Sequence, residues 1–140
     1  MKSTLRSLTI AMGLAALTTG IAAAQSMKAD IPFAFRVGEK AMPAGTYQLS
    51  FTGDLRAMLI VRNSETKTVA MVVPTSSTMA PKAWTAGTVP MIGFACGTGR
   101  CALAQLWNGE SRDALVFAYR APKGVEHAAL TEIRLMRLAD

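Results

Sequence analysis

The chain has 140 residues, 15 of them basic and nine acidic, and carries a formal net charge of +6. This length supports one hydrophobic core and is too short for two domains of ordinary size. The basic residues are dispersed and form no run, which is typical of solvated side chains. A single domain is therefore expected, and no nucleic-acid partner is expected.

The N-terminal segment has the organisation of a secretory signal peptide. Lys2 and Arg6 precede an uncharged stretch, residues 8–24, which ends in three alanines. A short basic region, an apolar region and small residues at the end are the three parts that a signal peptidase substrate requires. The pattern predicts a signal helix in residues 1–24 and cleavage between Ala24 and Gln25.

An uncleaved membrane anchor is the alternative interpretation of this segment. The stretch is barely long enough to span hydrocarbon, and Thr18, Thr19 and Gly20 dilute its apolar character. Cleavage is therefore favoured, leaving residues 25–140 as a single mature domain. That domain would carry 13 basic and nine acidic residues, a net charge of about +4. The expected location is the periplasm or the medium.

The mature chain opens with a clear strand pattern. In residues 29–37 apolar side chains alternate with others, which predicts a half-buried strand, and Pro32 favours a place at a sheet edge or among the first residues of a strand. Residues 42–45 read Met-Pro-Ala-Gly, a sequence that suits a β-turn. The alternation resumes in residues 46–51, which predicts a second strand.

The rest of the chain continues with short apolar runs separated by turn residues. Further strands are expected at 56–62, 68–73, 91–96, 102–107 and 114–119. Residues 75–88 predict a long, mobile connection. Residues 130–138 fit a strand or a helix, and the strand is favoured. The strand spacing predicts an all-β fold, a small antiparallel sandwich or barrel of about seven or eight strands.

Two N-terminal motifs resemble a known group of proteins. Residues 31–38 read Ile-Pro-Phe-Ala-Phe-Arg-Val-Gly, and residues 42–47 read Met-Pro-Ala-Gly-Thr-Tyr. They resemble the opening of small exported proteins of soil bacteria, which begin with Ile-Pro-Phe-x-Phe-x-Val-Gly and Leu-Pro-Ala-Gly-x-Tyr. The match covers residues 29–51, with a fainter echo at 102–107. The resemblance implies export and a β-rich fold; the group has no established activity, so it implies no function.

This chain also departs from the group's pattern. Methionine replaces the leucine before Pro43, and a pair of cysteines, Cys96 and Cys101, lies outside the resemblance. The cysteines flank a four-residue loop between two predicted strands, where opposed positions of a hairpin come close enough for a disulfide. Export to an oxidising compartment favours that bond. A redox-active pair would need two intervening residues at a helix N-terminus, so a structural disulfide is expected.

No combination of residues predicts catalysis or a cofactor. The only histidine, His127, has no serine or cysteine motif beside it, so no triad can be assembled. Two cysteines and one histidine also fall short of a zinc site, and no metal is expected. The carboxylates lie mostly at predicted turns, at spacings that predict no catalytic pair. We therefore expect a protein that is not an enzyme.

The functional expectation is an exported domain with a binding or structural role in the cell envelope or medium. Its partner is unidentified; an envelope polymer is one candidate, and a protein that pairs with an exposed edge at residues 29–37 is another. The alternative is a carrier that encloses a small apolar ligand in a β-barrel. In a carrier, large aromatic side chains would line the cavity; otherwise they would fill the core. The aromatic residues in question are Tyr47, Trp84, Phe94, Trp107, Phe117 and Tyr119.

Overall fold

The computed structural model describes residues 26–52, 58–120 and 129–138. The predicted signal peptide, residues 1–24, and the cleavage position between Ala24 and Gln25 lie outside the described residues. The described chain is almost entirely β-structure, arranged as two sheets of five and seven strands. This confirms the all-β prediction, and the architecture is a small sandwich.

Twelve strands and one short helix make up the described chain. In order they are β1 (Met27–Ile31), β2 (Phe35–Val37), β3 (Lys40–Met42), β4 (Gly45–Thr52), β5 (Met58–Asn63), β6 (Val69–Val72), β7 (Ser76–Met79), α1 (Lys82–Thr85), β8 (Met91–Cys96), β9 (Cys101–Trp107), β10 (Asp113–Val116), β11 (Ala129–Arg134) and β12 (Met136–Arg137). The number exceeds seven or eight because two predicted strands are divided, and because β3 and β7 lie where the pattern predicts turns or connections. No helix of the described residues is long and apolar enough to cross a membrane.

The first sheet is antiparallel throughout, in the order β12-β1-β4-β5-β6. In β1 and β5 every second residue is buried, and in β4 Tyr47 and Leu49 are buried on the same face. Leu49 of β4 lies opposite Val61 of β5, and both are within 1% of complete burial. The remaining positions of these strands form the outer face, where Arg62 is exposed.

The second sheet has the order β11-β8-β9-β10-β7. The β2–β3 hairpin joins it through β2, which pairs in parallel with the start of β9. A register shift at Gly93 and Phe94 marks a bulge between β8 and β9. On the side of β9 that faces away from β8, its first half neighbours β2 and its second half neighbours β10.

The chain crosses between the two sheets on both sides of the sandwich. On one side, β6 of the first sheet leads through residues 73–75 into β7 of the second. On the other, β11 of the second sheet leads into β12 of the first. Leu135, between β11 and β12, is buried, and its amide donates to the carbonyl of Pro90. The C-terminal segment is thus a strand with a break at Leu135, as favoured.

Aromatic rings join the sheets in the interior. The ring of Phe35 on β2 lies 5.0 Å from that of Tyr47 on β4 and 5.1 Å from that of Phe94 on β8. Both pairs are edge-to-face, a favourable arrangement for aromatic rings. Tyr47 is fully buried, and its hydroxyl donates to the carbonyl of Pro43. The hydroxyl of the buried Tyr47 thus has a hydrogen-bond acceptor in the turn that precedes β4.

The N-terminal motif differs from the predicted single strand. Residues 29–37 are divided between β1 and β2, with Pro32 in the break. The expected sheet edge is not found in β2, which lies between β3 and β9. In β1, the strand β12 pairs only with Met27 and Lys28, and residues 29–31 pair with β4 on their other side. Proline lacks the amide that a continuous strand would need, so the chain leaves one sheet at Pro32 and enters the other.

The segment 75–88 contains two ordered elements, β7 and α1, where a long connection was expected. Trp84 of α1 is 3% exposed and packs with Trp107 on the face of the second sheet that points away from the core. The indole N–H of Trp107 donates to the carbonyl of Ser111. Burial of one tryptophan thus holds a polar segment against the sheet.

The hydrogen bond of Tyr47 should contribute measurably to folding stability. Tyr47→Phe keeps the ring contacts and removes only the donor to Pro43, so we expect a loss of about 1 kcal/mol in the free energy of unfolding. Urea denaturation measures it. The control is Tyr119→Phe at an exposed tyrosine, which should change stability by less than about 0.5 kcal/mol. Equal effects of the two substitutions would contradict a role for the Tyr47 hydroxyl.

Candidate interaction edge

The strand β7 forms one edge of the second sheet. Its four residues, Ser-Ser-Thr-Met, are all exposed and uncharged. On one side it pairs antiparallel with β10, with Ser77 opposite Leu115 and Thr78 opposite Ala114. Within the described residues no strand pairs with its other side. The sheet therefore ends at an open, neutral edge.

The ladder fixes which backbone groups of β7 are free. The amide of Ala80 donates to the carbonyl of Arg112, which places this pair among the hydrogen-bonded pairs of the ladder. In antiparallel pairing such residues alternate with residues whose N–H and C=O point away from the partner strand. Thr78 therefore faces β10, while the backbone groups of Ser77 and Met79 point outward. These four outward groups are the hydrogen-bonding capacity of the edge.

The edge of the first sheet is different. The ammonium group of Lys40 donates to the carbonyl of Val69 in β6, at 2.6 Å. A lysine against the backbone of an edge strand is a common protection against pairing with other chains. The edge strands β3 and β12 are only three and two residues long. The strand β11, at the opposite edge of the second sheet, has six residues and carries Glu132 and Arg134. Among the described edge strands of more than three residues, β7 alone has neither a charged residue nor a lysine bound to its backbone.

Exposed apolar side chains lie at and before this edge. Met79 is 72% exposed, the largest value among the exposed large hydrophobic residues of the described chain. Val73, in the connection before β7, is 58% exposed, and Met71 of β6 is 60% exposed. Exposed apolar side chains beside free backbone groups are typical of surfaces that bind another chain.

The two cysteines lie at the other end of the second sheet. Cys96 and Cys101 are directly opposed in the β8–β9 hairpin and form a disulfide, with Cα atoms 4.0 Å apart. The amide of Gly97 donates to the carbonyl of Arg100 and closes the loop. Both cysteines are partly buried and pack against the core. The disulfide is therefore a structural link, compatible with an oxidising extracellular compartment.

Two of the described carboxylates among the other titratable candidates make local contacts. His127 lies outside the described residues. Asp30 accepts a hydrogen bond from the hydroxyl of Thr46, and Glu110 lies 3.6 Å from Arg137. Across the described ranges no three histidine, cysteine, aspartate or glutamate side chains are grouped as metal ligands would be.

The aromatic residues considered as a ligand lining occupy two clusters. Tyr47, Phe94 and Phe117 belong to the core between the sheets, where Phe33 and Phe35 contact Phe94 at 5.2 and 5.1 Å between ring centres. The two tryptophans lie on the opposite face of the second sheet. Tyr119 is 39% exposed. These rings contact one another or lie outside the core, an arrangement that favours a packed interior over a carrier's cavity.

Comparison with known proteins adds no relationship. No family model matches the chain, and no curated protein and no solved structure matches it.

Sequence reasoning missed the edge strand because β7 has no buried alternation. All of its side chains are exposed, so periodicity, the main signal for a strand, is absent. One signal was present: an uncharged run between Pro74 and Pro81 that contains Thr75 and Thr78. Threonine favours strands, and prolines frequently bound them.

The disulfide closes a short loop, and its contribution to stability should be modest. In the chain-entropy model, a loop of this length contributes about 2 kcal/mol. We expect the double variant Cys96→Ala/Cys101→Ala to lose about that free energy of unfolding and to remain folded. Reduction of the wild-type protein, followed by urea denaturation, should give a similar loss. If the double variant and the reduced wild-type protein both unfold completely, the expectation that the hydrophobic core stabilises the fold without the disulfide is contradicted.

Proposed function

We propose that this protein is an exported, non-enzymatic β-sandwich with a binding or structural role in the cell envelope or medium. Its partner is a protein chain that adds a strand to the second sheet at β7. The observation that carries this proposal is the open edge itself: Ser77 and Met79 direct four backbone groups outward from an uncharged strand. Strand addition uses such groups for affinity and the flanking side chains for specificity.

The contrast between the two sheets supports this choice of surface. One edge carries a lysine that occupies the backbone carbonyl of Val69, so that edge is protected from pairing. The strand β7 carries no such lysine contact among the described residues, although an unprotected edge exposes a protein to aggregation. An uncharged edge strand without a protecting lysine is explained if another protein chain covers it.

Export is supported by the signal-peptide pattern of residues 1–24 and by the disulfide. A bond between Cys96 and Cys101 persists in the periplasm or outside the cell and is rare in a reducing cytoplasm. The resemblance of residues 29–51 to small exported proteins agrees with this location. We propose the periplasm or the medium as the site of action.

The mass of the mature protein tests export. Protein purified from the envelope or medium of its host should begin at Gln25, and its mass should rise by about two units on reduction. Mass spectrometry under reducing and non-reducing conditions measures both. A chain that retains residues 1–24 would contradict cleavage, and an unchanged mass on reduction would contradict the disulfide.

Site-specific cross-linking in the host tests the edge. A photo-reactive amino acid in place of Met79 should form a covalent adduct with the partner. The same amino acid in place of Arg62, which is exposed on the outer face of the first sheet, should form none. Mass spectrometry of the adduct identifies the attached chain. Adducts from Arg62 and none from Met79 would overturn the proposed binding edge.

A proline variant shows whether the outward backbone groups are responsible. Ser77→Pro removes an outward N–H and leaves the ladder to β10 intact, so the domain should fold and the adduct at Met79 should disappear. Thr78→Pro is the matched variant, because it removes an inward N–H and should destabilise the domain itself. An adduct that persists in Ser77→Pro would argue against strand addition.

A further inference from the structure

We infer that the chain that pairs with β7 is β7 of a second copy of this protein, in an antiparallel arrangement centred on Thr78. This inference rests on the proposed function and names its partner. Two copies related by a two-fold axis would join their second sheets edge to edge. The interface would be isologous, each copy contributing the same strand.

The alternation of free backbone groups gives the register. With Thr78 opposite Thr78 of the second copy, Ser77 lies opposite Met79 of the other strand. The N–H and C=O groups of Ser77 and Met79 both point outward, so each of the two Ser77–Met79 pairs forms two hydrogen bonds. All four outward groups on each strand are then satisfied. The strand β7 can therefore pair with β7 of a second copy while its backbone groups keep the orientations they have in the monomer.

Side-chain chemistry fits the same register. The two Thr78 residues form the non-hydrogen-bonded pair at the centre, where opposed side chains come closest, and threonine pairs are favourable there. The Met79 side chains of the two copies are diagonal neighbours on one face, a distance that long side chains can bridge. Met79, the most exposed of the large hydrophobic side chains in the described chain, would thus be partly covered by Met79 of the second copy.

Charge favours the antiparallel direction. The charged residues near β7 lie at one end: Asp113 is opposite Met79, Arg112 is opposite Ala80, and Lys82 follows in α1. At the other end, Ser76 lies opposite Val116, and no charged residue is paired with it. Antiparallel pairing places the charged end of one strand beside the uncharged end of the other. Parallel pairing would place like ends together.

A strand of four residues buries little surface, so the dimer should be weak and concentration-dependent. Sedimentation of the mature protein, from micromolar to millimolar concentration, should show a shift from monomer towards dimer. Ser77→Pro should abolish that shift. A wild-type protein that stays monomeric throughout this range overturns the inference.

A pair of charge variants tests the register at the centre. Thr78→Lys and Thr78→Asp each place like charges directly opposite one another, so each should weaken self-association by at least about tenfold. An equimolar mixture of the two should associate again, because lysine then faces aspartate. Thr78 is exposed, so both variants should fold, which circular dichroism checks. The control pair is Thr98→Lys and Thr98→Asp at the exposed loop of the β8–β9 hairpin, where neither substitution should matter.

The outcomes separate this inference from the proposed function. A Met79 adduct of twice the mature mass, together with recovery in the Thr78 mixture, supports self-pairing. A Met79 adduct with a different chain, lost in Ser77→Pro, supports strand addition and overturns the second copy as partner. Association that the Thr78 charges leave unchanged overturns the register. No adduct at Met79 and a monomer at every concentration overturn both proposals.

Discussion

The contact of Phe35 with Tyr47 and Phe94 is the constraint on which the sandwich depends. Phe35 belongs to the second sheet and Tyr47 to the first, so the ring pair at 5.0 Å spans the interface between the sheets. Tyr47 is completely buried, and a buried phenol requires a hydrogen-bond partner. The carbonyl of Pro43, four residues earlier, supplies it. One side chain therefore sets both the packing of the sheets and the shape of the turn before β4.

The same geometry explains the Pro-Ala-Gly-x-Tyr motif. A Cβ atom at Gly45 would lie 3.1 Å from the side-chain nitrogen of Asn63, so a larger residue would press against that side chain. Asn63 is buried, and its side-chain oxygen accepts from the amides of Glu65 and Thr66, which shapes the turn after β5. Glycine and tyrosine in the motif thus serve the fit of two neighbouring turns. The motif is explained by folding, which agrees with a resemblance that carries no activity.

How far the sequence predicts this fold depends on what is buried. Strands with one face in the core, such as β1 and β4, follow from the alternation of apolar residues, and the opposed cysteines follow from hairpin geometry. The break at Pro32 was not predicted, because alternation continues across it while the chain changes sheets. The edge strand β7 was not predicted, because its partner is β10, about 35 residues away, and none of its side chains is buried. The pattern of residues within β7 therefore does not reveal that it pairs with a strand so distant in the sequence.

The sequence did not predict the candidate site either, because that site also depends on strand pairing and not on residue type. A binding edge of this kind consists of backbone groups, which every residue possesses, so residue type alone does not mark it. Within the described part of the chain, what distinguishes β7 is its position in the sheet and the lack of a protecting charge such as Lys40 on the carbonyl of Val69. The connection through residues 73–75 leads from β6, an edge strand of the first sheet, directly into β7, an edge strand of the second. Among the edge strands of the described chain, β7 is therefore the one where we place the function.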